Sequence, residues 1–199
     1  MKRLHLLVVA LLITLCCNAQ DYKVFTTEND ETVIKGVLES KRTASDIFKN
    51  ASNWAITMSH EGSIDKDSDA GIITINGSIQ SKSAYNPFTG TYTDIFGYTC
   101  KLTIVDNKLS YEFVNLLLTK KYAGFGTSSK EFVVAEMIDE VLNVGSYKAE
   151  IEDDNSLSKK EKKDEIKKLE GEVESFEVSL EKIESVVVKK IEALNNRIK

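Results

Sequence analysis

Proline, histidine and cysteine are scarce in this chain of 199 residues, with one, two and three copies respectively. Each scarcity excludes something. His5 lies in an apolar N-terminal leader, so a zinc site or a Ser-His-Asp triad would have to use His60 alone. Cys16 and Cys17 also lie in that leader, which leaves Cys100 as a single thiol, unable to close an internal disulfide. Positive charge is in deficit: 26 Lys and Arg stand against 31 Asp and Glu, for a formal charge of −5. Nucleic-acid binding rests on clustered Lys and Arg, so no nucleic-acid partner is expected. A glycine-rich phosphate loop, a CxxC pair and a GxSxG elbow are all missing. The sequence therefore nominates no catalytic residue, no metal site and no cofactor.

The leader reads MKRLHLLVVALLITLCCNAQ. Lys2 and Arg3 precede an uncharged apolar run, Leu6 to Cys17, and Cys17-Asn18-Ala19 offers small residues to a signal peptidase. Residues 1–19 are expected to be a cleaved signal peptide, with the cut before Gln20. The run is short of the roughly 20 apolar residues of a membrane span, and no later segment reads as transmembrane. A lipoprotein signal acylated at Cys16 or Cys17 is the rival reading, although Leu15 and Cys16 fit poorly at the position before the cysteine. Either way the protein is expected outside the cytoplasm, in the periplasm or at the outer membrane.

Two segments are expected downstream, an α+β domain over residues 20–150 and an amphipathic helix over 156–199. Thr32 to Leu38 is β-branched and reads as a strand, with Gly36 as its weak point. Ile47, Phe48, Ala51, Trp54, Ala55 and Met58 then recur at helical spacing, with Thr43 or Ser45 as cap and Gly62 beyond the end. Gly71 to Gln80 is a strand. Tyr98 to Val105 and Leu109 to Leu118 form a hairpin around Asp106-Asn107, with Cys100 on the buried face. Ser128 and Glu131 spell a capping box for a helix ending at Gly145, with Val134, Met137, Ile138, Val141 and Leu142 as its apolar face.

A second capping box, Ser158 with Glu161, opens the C-terminal segment. Ile166, Leu169, Val173, Phe176, Leu180, Ile183 and Val187 then step by three and four as a heptad seam, which Ile191, Leu194 and Ile198 continue after a stutter. Gly171 weakens this helix by about 1 kcal/mol relative to Ala. A continuous helix would run roughly 60 Å. The seam predicts helix–helix pairing, within the chain, in a homo-oligomer or with an envelope protein. A helix lying against its own domain would show the same stripe.

The stretches SDIFKNASNWAITM, DSDAGIITINGSI and YTCKLTIVDNKLSYEFVNL resemble the Bacteroidetes envelope proteins grouped as domain of unknown function 4468, over roughly residues 32–145. The Trp closing the helix, the Asp-x-x-Gly step into a strand and the Asp-Asn-Lys hairpin carry the resemblance. It implies a TBP-like fold, after the TATA-binding protein: a curved antiparallel sheet with helices on one face. Here a long, coiled-coil-like C-terminal helix follows. The resemblance brings no catalytic residues with it.

Two constellations remain. Asp65, Asp67 and Asp69 before Gly71 alternate like calcium ligands, but the glycine is one place late and Asn76 stands where a bidentate Glu is needed, so a polar turn is expected. Residues 81–97 hold Pro87 and four aromatics, Tyr85, Phe88, Tyr92 and Phe96. This segment reads as a long loop or a hairpin extension. Its rings are either a binding platform for sugars, peptides or partners, or folded back over the sheet. These four are the candidate binding residues. The expected function is non-enzymatic binding of a protein or small ligand. The alternative is a carboxylate-dependent hydrolase acting on envelope or glycan material.

Overall fold

The computed structural model describes residues 23–28, 31–59, 62–80, 84–86, 90–123 and 128–199. The expected signal peptide, with Cys16 and Cys17, lies outside the described residues, as do His60 and Phe88.

Eight strands and three helices form from the described residues. In chain order they are β1 (Lys23–Glu28), β2 (Glu31–Glu39), α1 (Ala44–Met58), β3 (Ser63–Asp67), β4 (Ile72–Gln80), β5 (Ala84–Asn86), β6 (Gly90–Val105), β7 (Lys108–Ala123), β8 (Ser128–Val133), α2 (Val134–Asp153) and α3 (Lys159–Ile198). The strands make one antiparallel sheet in the order β1-β2-β7-β6-β4-β3, with β5 added to β6 and β8 to β7.

The sheet hangs on the β6–β7 hairpin, whose strands run 16 residues each. Asn107 turns it with φ 62°, a conformation Asn tolerates. Asp106 in the same turn accepts from the Ala44 N–H at 2.7 Å, so the hairpin tip also caps α1. Even-numbered residues of β6, from Phe96 to Ile104, face the core. On β7 the buried set starts odd, with Leu109, Tyr111 and Phe113, and turns even at Leu116 and Leu118. A bulge causes the change. The register slips by one residue between Gly97 and Thr99, and Asn115 opposite adopts φ 54°. One extra residue reverses which face each later side chain takes, and it bends the strand. Gly36 is explained by its neighbour: it pairs with Tyr111, and a Cβ there would lie 2.3 Å from the Tyr111 hydroxyl.

All three helices lie on the core side. α1 buries Ile47, Ala51, Trp54, Ala55 and Met58, and its Thr43 cap accepts from the Asp46 N–H. The C-terminal helix packs on its own domain. Phe176, Ile183, Val187, Ile191, Leu194 and Ile198 belong to the same core cluster as the sheet and α1. The Trp54 indole N–H donates to the Lys190 carbonyl at 3.0 Å, which makes Trp54 a core residue that ties α1 to α3. At the far end the Ser40 hydroxyl donates to the Ile198 carbonyl and Arg42 Nε donates to the Lys199 carbonyl. A cation at a helix C-terminus also meets the negative end of the dipole.

Two helix boundaries differ from expectation. Ser128 and Glu131 are not a capping box: Ser128–Val133 is strand β8, whose residues pair with β7 from Tyr122 to Leu117. The ladder satisfies the backbone groups that a cap would have served, and α2 begins at Val134 with no side-chain cap. Gly145 does not end α2, which runs through it to Asp153. The Ser158–Glu161 box does form, with Ser158 N–H to Glu161 at 2.8 Å and Glu161 N–H to Ser158 at 3.3 Å.

Candidate functional site

The distal half of the hairpin carries two charges on the face that should be apolar. Asp94 and Lys120 are cross-strand partners, 6% and 5% exposed, directly beneath α3. Asp94 continues the inward set of Phe96 and Tyr98, and Lys120 continues Leu116 and Leu118 after the bulge. The Lys120 ammonium donates to the Ser175 hydroxyl at 2.7 Å and sits 5.8 Å from the Tyr92 ring centre. Lys182 of α3 reaches Asp94 at 3.7 Å and lies 5.6 Å from the same ring. Tyr122 stacks at a tilt with Tyr92, 6.3 Å between centres.

Burial pushes the Lys120 ammonium below its ordinary range, against the attraction of Asp94. Burial, and then the Asp94 charge, pushes the Tyr122 phenol up. Opposite charges meet across the β6–α3 contact, so the cluster locks the hairpin to the helix. The adjoining space is about 30 Å³, lined by Ile79, Phe96 and Ile183 among others. That is room for about one water, not for a sugar or a peptide.

The predicted aromatic platform is therefore divided. Residues 90–97 are a hairpin extension, not a loop. Phe96 is a core residue, packed on Tyr98 with ring centres 5.8 Å apart, and cannot serve as an exposed platform. Its place in the inward alternation explains the burial. Tyr92 is half-buried and holds the two lysines. The Tyr85 backbone pairs with Thr91 in β5. Its side chain and the whole of Phe88 lie outside the described residues. The buried carboxylate of this segment is Asp94, and the group that faces it across the ladder is Lys120 rather than a second acid.

The calcium-like run folds as a turn. Asp67 accepts from the Asp69 and Ala70 N–H groups at 3.1 and 2.9 Å, and Gly71 takes φ 68°. Asn76 is engaged on the open sheet face, donating to Ser63 and accepting from Thr99. Among the described residues no group of three or more His, Cys, Asp or Glu is placed to hold a metal ion. No helix of the described residues is long and apolar enough to cross a membrane. Cys100 is fully buried, and burial pushes its thiol up, away from nucleophilic ionisation.

A second site lies on the arm formed by α2 and the first half of α3, which periodicity alone did not mark as a binding face. α2 buries Val134 and Met137 and then nothing more, while α3 buries nothing before Val173. Their remaining partner is each other. Lys148 pairs with Glu170 at 2.6 Å, and Lys162 donates to the Glu152 carbonyl at 2.6 Å. Beside α2, near Thr32 of β2, runs an open groove of about 560 Å³. Ile138 and Leu142 line it with Glu136, Asp139 and Glu140, and Leu142 is 76% exposed. Tyr147 and Asn143 donate to Asp139 at 2.6 and 2.7 Å, fixing that carboxylate along the helix.

An antiparallel sheet covered on one face by helices, with a long C-terminal helix closing the core, is an α+β architecture of the TBP-like class. The structure matches that of a TBP-like protein from Parabacteroides distasonis at 14% identity, TM-score 0.51, over 86% of this chain and 97% of that one. It also matches a protein of the domain of unknown function 4468 family from Bacteroides ovatus, at 13% identity and TM-score 0.45, over 57% of this chain and 67% of that one. At 14% identity the first of these likenesses shows the fold alone. No family model matches the sequence, and no curated protein matches it either.

Proposed function

We propose that this chain is an exported, non-enzymatic binding domain of the cell envelope, which holds a protein or small ligand on its helical arm. The observation that carries the reading is Leu142. It is the most exposed of the large apolar residues described, and it stands in a groove on an arm whose base is fixed in the core. A fixed base with a projecting element suits recognition, and the groove offers an apolar contact with polar groups around it. From Phe176 to Ile198 the apolar stripe of α3 is already covered by its own domain, which leaves the arm as the helical surface open to other chains.

Site-specific photo-crosslinking in the native envelope tests this. A crosslinker at position 142 should give discrete adducts, and one at Val105, an exposed position on β6, should not. Identical adducts from both positions, or none, would defeat the reading. The export half is tested by the N-terminus of the mature chain: a start at Gln20 fits a soluble exported protein, whereas an acylated Cys16 or Cys17 makes it a lipoprotein. A start at Met1 would overturn export.

A further inference from the structure

We infer that the α2 groove receives a positively charged amphipathic segment of another protein, with apolar side chains on Leu142 and Ile138 and Lys or Arg against the acidic rim. The inference rests on the binding role proposed above and adds the chemistry of the partner. α2 carries six acidic residues, Glu136, Asp139, Glu140, Glu150, Glu152 and Asp153, against the single base Lys148. Three of these acids rim the groove beside the exposed Leu142 and the half-buried Ile138. The remaining exposed helix surface is balanced, since α3 holds ten acidic and ten basic residues over its 40.

The carboxylates also crowd one another. The Glu140 carboxyl is pushed up by burial and then by Glu172, Glu136 and Asp139, with only Lys130 opposing. A cation entering the groove relieves that repulsion. Other occupants do worse. A neutral apolar segment would strip water from the carboxylates with nothing in return. A second copy of this chain would bring two acidic helices together. An anionic lipid surface has the wrong sign. Charge complementarity of this kind sets partner choice and association rate, and an amphipathic helix laid in a groove is an established mode of recognition.

The test uses the full mature chain and two peptides of about 18 residues, one of Leu and Lys with a single apolar face, the other with Glu in place of Lys. Calorimetric titration should show binding of the Lys peptide, weakening with added salt, and none of the Glu peptide. Two variants should each weaken the Lys peptide about tenfold: Leu142→Ser, and the pair Glu136→Gln with Glu140→Gln. Removing the same charge at Glu184 and Glu192, exposed on α3, should change affinity less than about twofold. Leu142 and Glu136 are exposed and Glu140 is half-buried, and unchanged melting temperatures would show that the fold is intact.

Equal binding of both peptides overturns the inference, and so does equal weakening by groove and control variants. Failure of the Lys peptide together with an adduct at position 142 to an acidic or neutral protein would sink the partner chemistry and leave the binding role standing. Failure of both would sink both. A chain that dimerises through position 142 would replace the inferred partner with a second copy.

Discussion

The two halves of α3 carry one continuous apolar stripe and meet different surroundings. From Phe176 to Ile198 the stripe lies in the core against the sheet and α1, and Val187, Ile191, Leu194 and Ile198 are buried. From Lys159 to Glu172 the same spacing leaves Ile166 and Leu169 half-buried beside α2. Equal amphipathicity gives unequal stability, because a sheet covers the whole width of a stripe and one neighbouring helix covers a strip of it. Most helical stability in proteins comes from such packing, not from propensity. The base and the arm should therefore open with different free energies.

The sharpest way to break this comparison is to remove the helix. A chain ending at Asn155 exposes the core that α3 covers, and it is expected to show no cooperative thermal transition by circular dichroism. A cooperative melt would show the base to be independent of α3. At single-residue scale, Leu194→Ala should lower unfolding stability by about 2–5 kcal/mol. Leu169→Ala should cost about 1 kcal/mol or less. Equal losses in urea titrations would erase the distinction between the halves.

Alkaline pH should weaken the base. Burial holds the Cys100 thiol and the Tyr98 phenol above their ordinary values of 9.0 and 10.0, with the neighbouring Cys100 adding to the Tyr98 shift. The native state keeps protons that the unfolded chain releases, so this contribution is whole below about pH 9 and is lost as pH rises. Lys120 acts in the opposite sense, because its lowered value makes the native state bind fewer protons below 10.5. Urea midpoints should fall between about pH 8 and about pH 10. The fall should be shallower in Cys100→Ala, whose midpoint is lower throughout. An unchanged slope would rule out Cys100 as the source.

The arm gives smaller effects. Nothing lies within 4 Å of a Cβ built at Gly145 or Gly171. Gly171→Ala should therefore stabilise α3 locally by about 0.5–1 kcal/mol. Native-state hydrogen exchange should show the gain in amides of the arm and not in β6 or β7. A gain spread over the whole sheet would mean that arm and base unfold together. Lys148→Ala, which removes the exposed pair with Glu170, should cost under about 1 kcal/mol. A larger loss would mark the pair as the main fastener of the arm.

Local features were the legible ones. The Ser158–Glu161 box, the Thr43 cap and the Asp106-Asn107 turn each involve neighbours in sequence and formed as expected. The Ser128–Glu131 box has the same spelling and did not form, because β7 supplied a sheet edge that the motif could not foresee. Phe96 looked like a loop aromatic because the strand begins as early as Gly90. Asp94 was in principle readable, two places before Phe96 on the inward side. Lys120 was not, since the bulge at Asn115 had already reversed the alternation. The acidic groove is a juxtaposition of α2 with β2, about 100 residues apart in the chain, and periodicity has no signal for it.

The sequence by itself determined the periods: two along the hairpin, three and four along the helices. It thereby determined which side of each element avoids water. It also determined the charge of α2 and the glycines that permit a turn or a close approach. Only the tertiary structure decided what would cover each apolar face. An apolar stripe is satisfied by any surface of suitable shape, so the heptad seam could not choose between a second chain and its own sheet. That choice was made by Trp54 reaching Lys190 and by Ser40 and Arg42 holding the end of α3, contacts that exist only after the chain has folded.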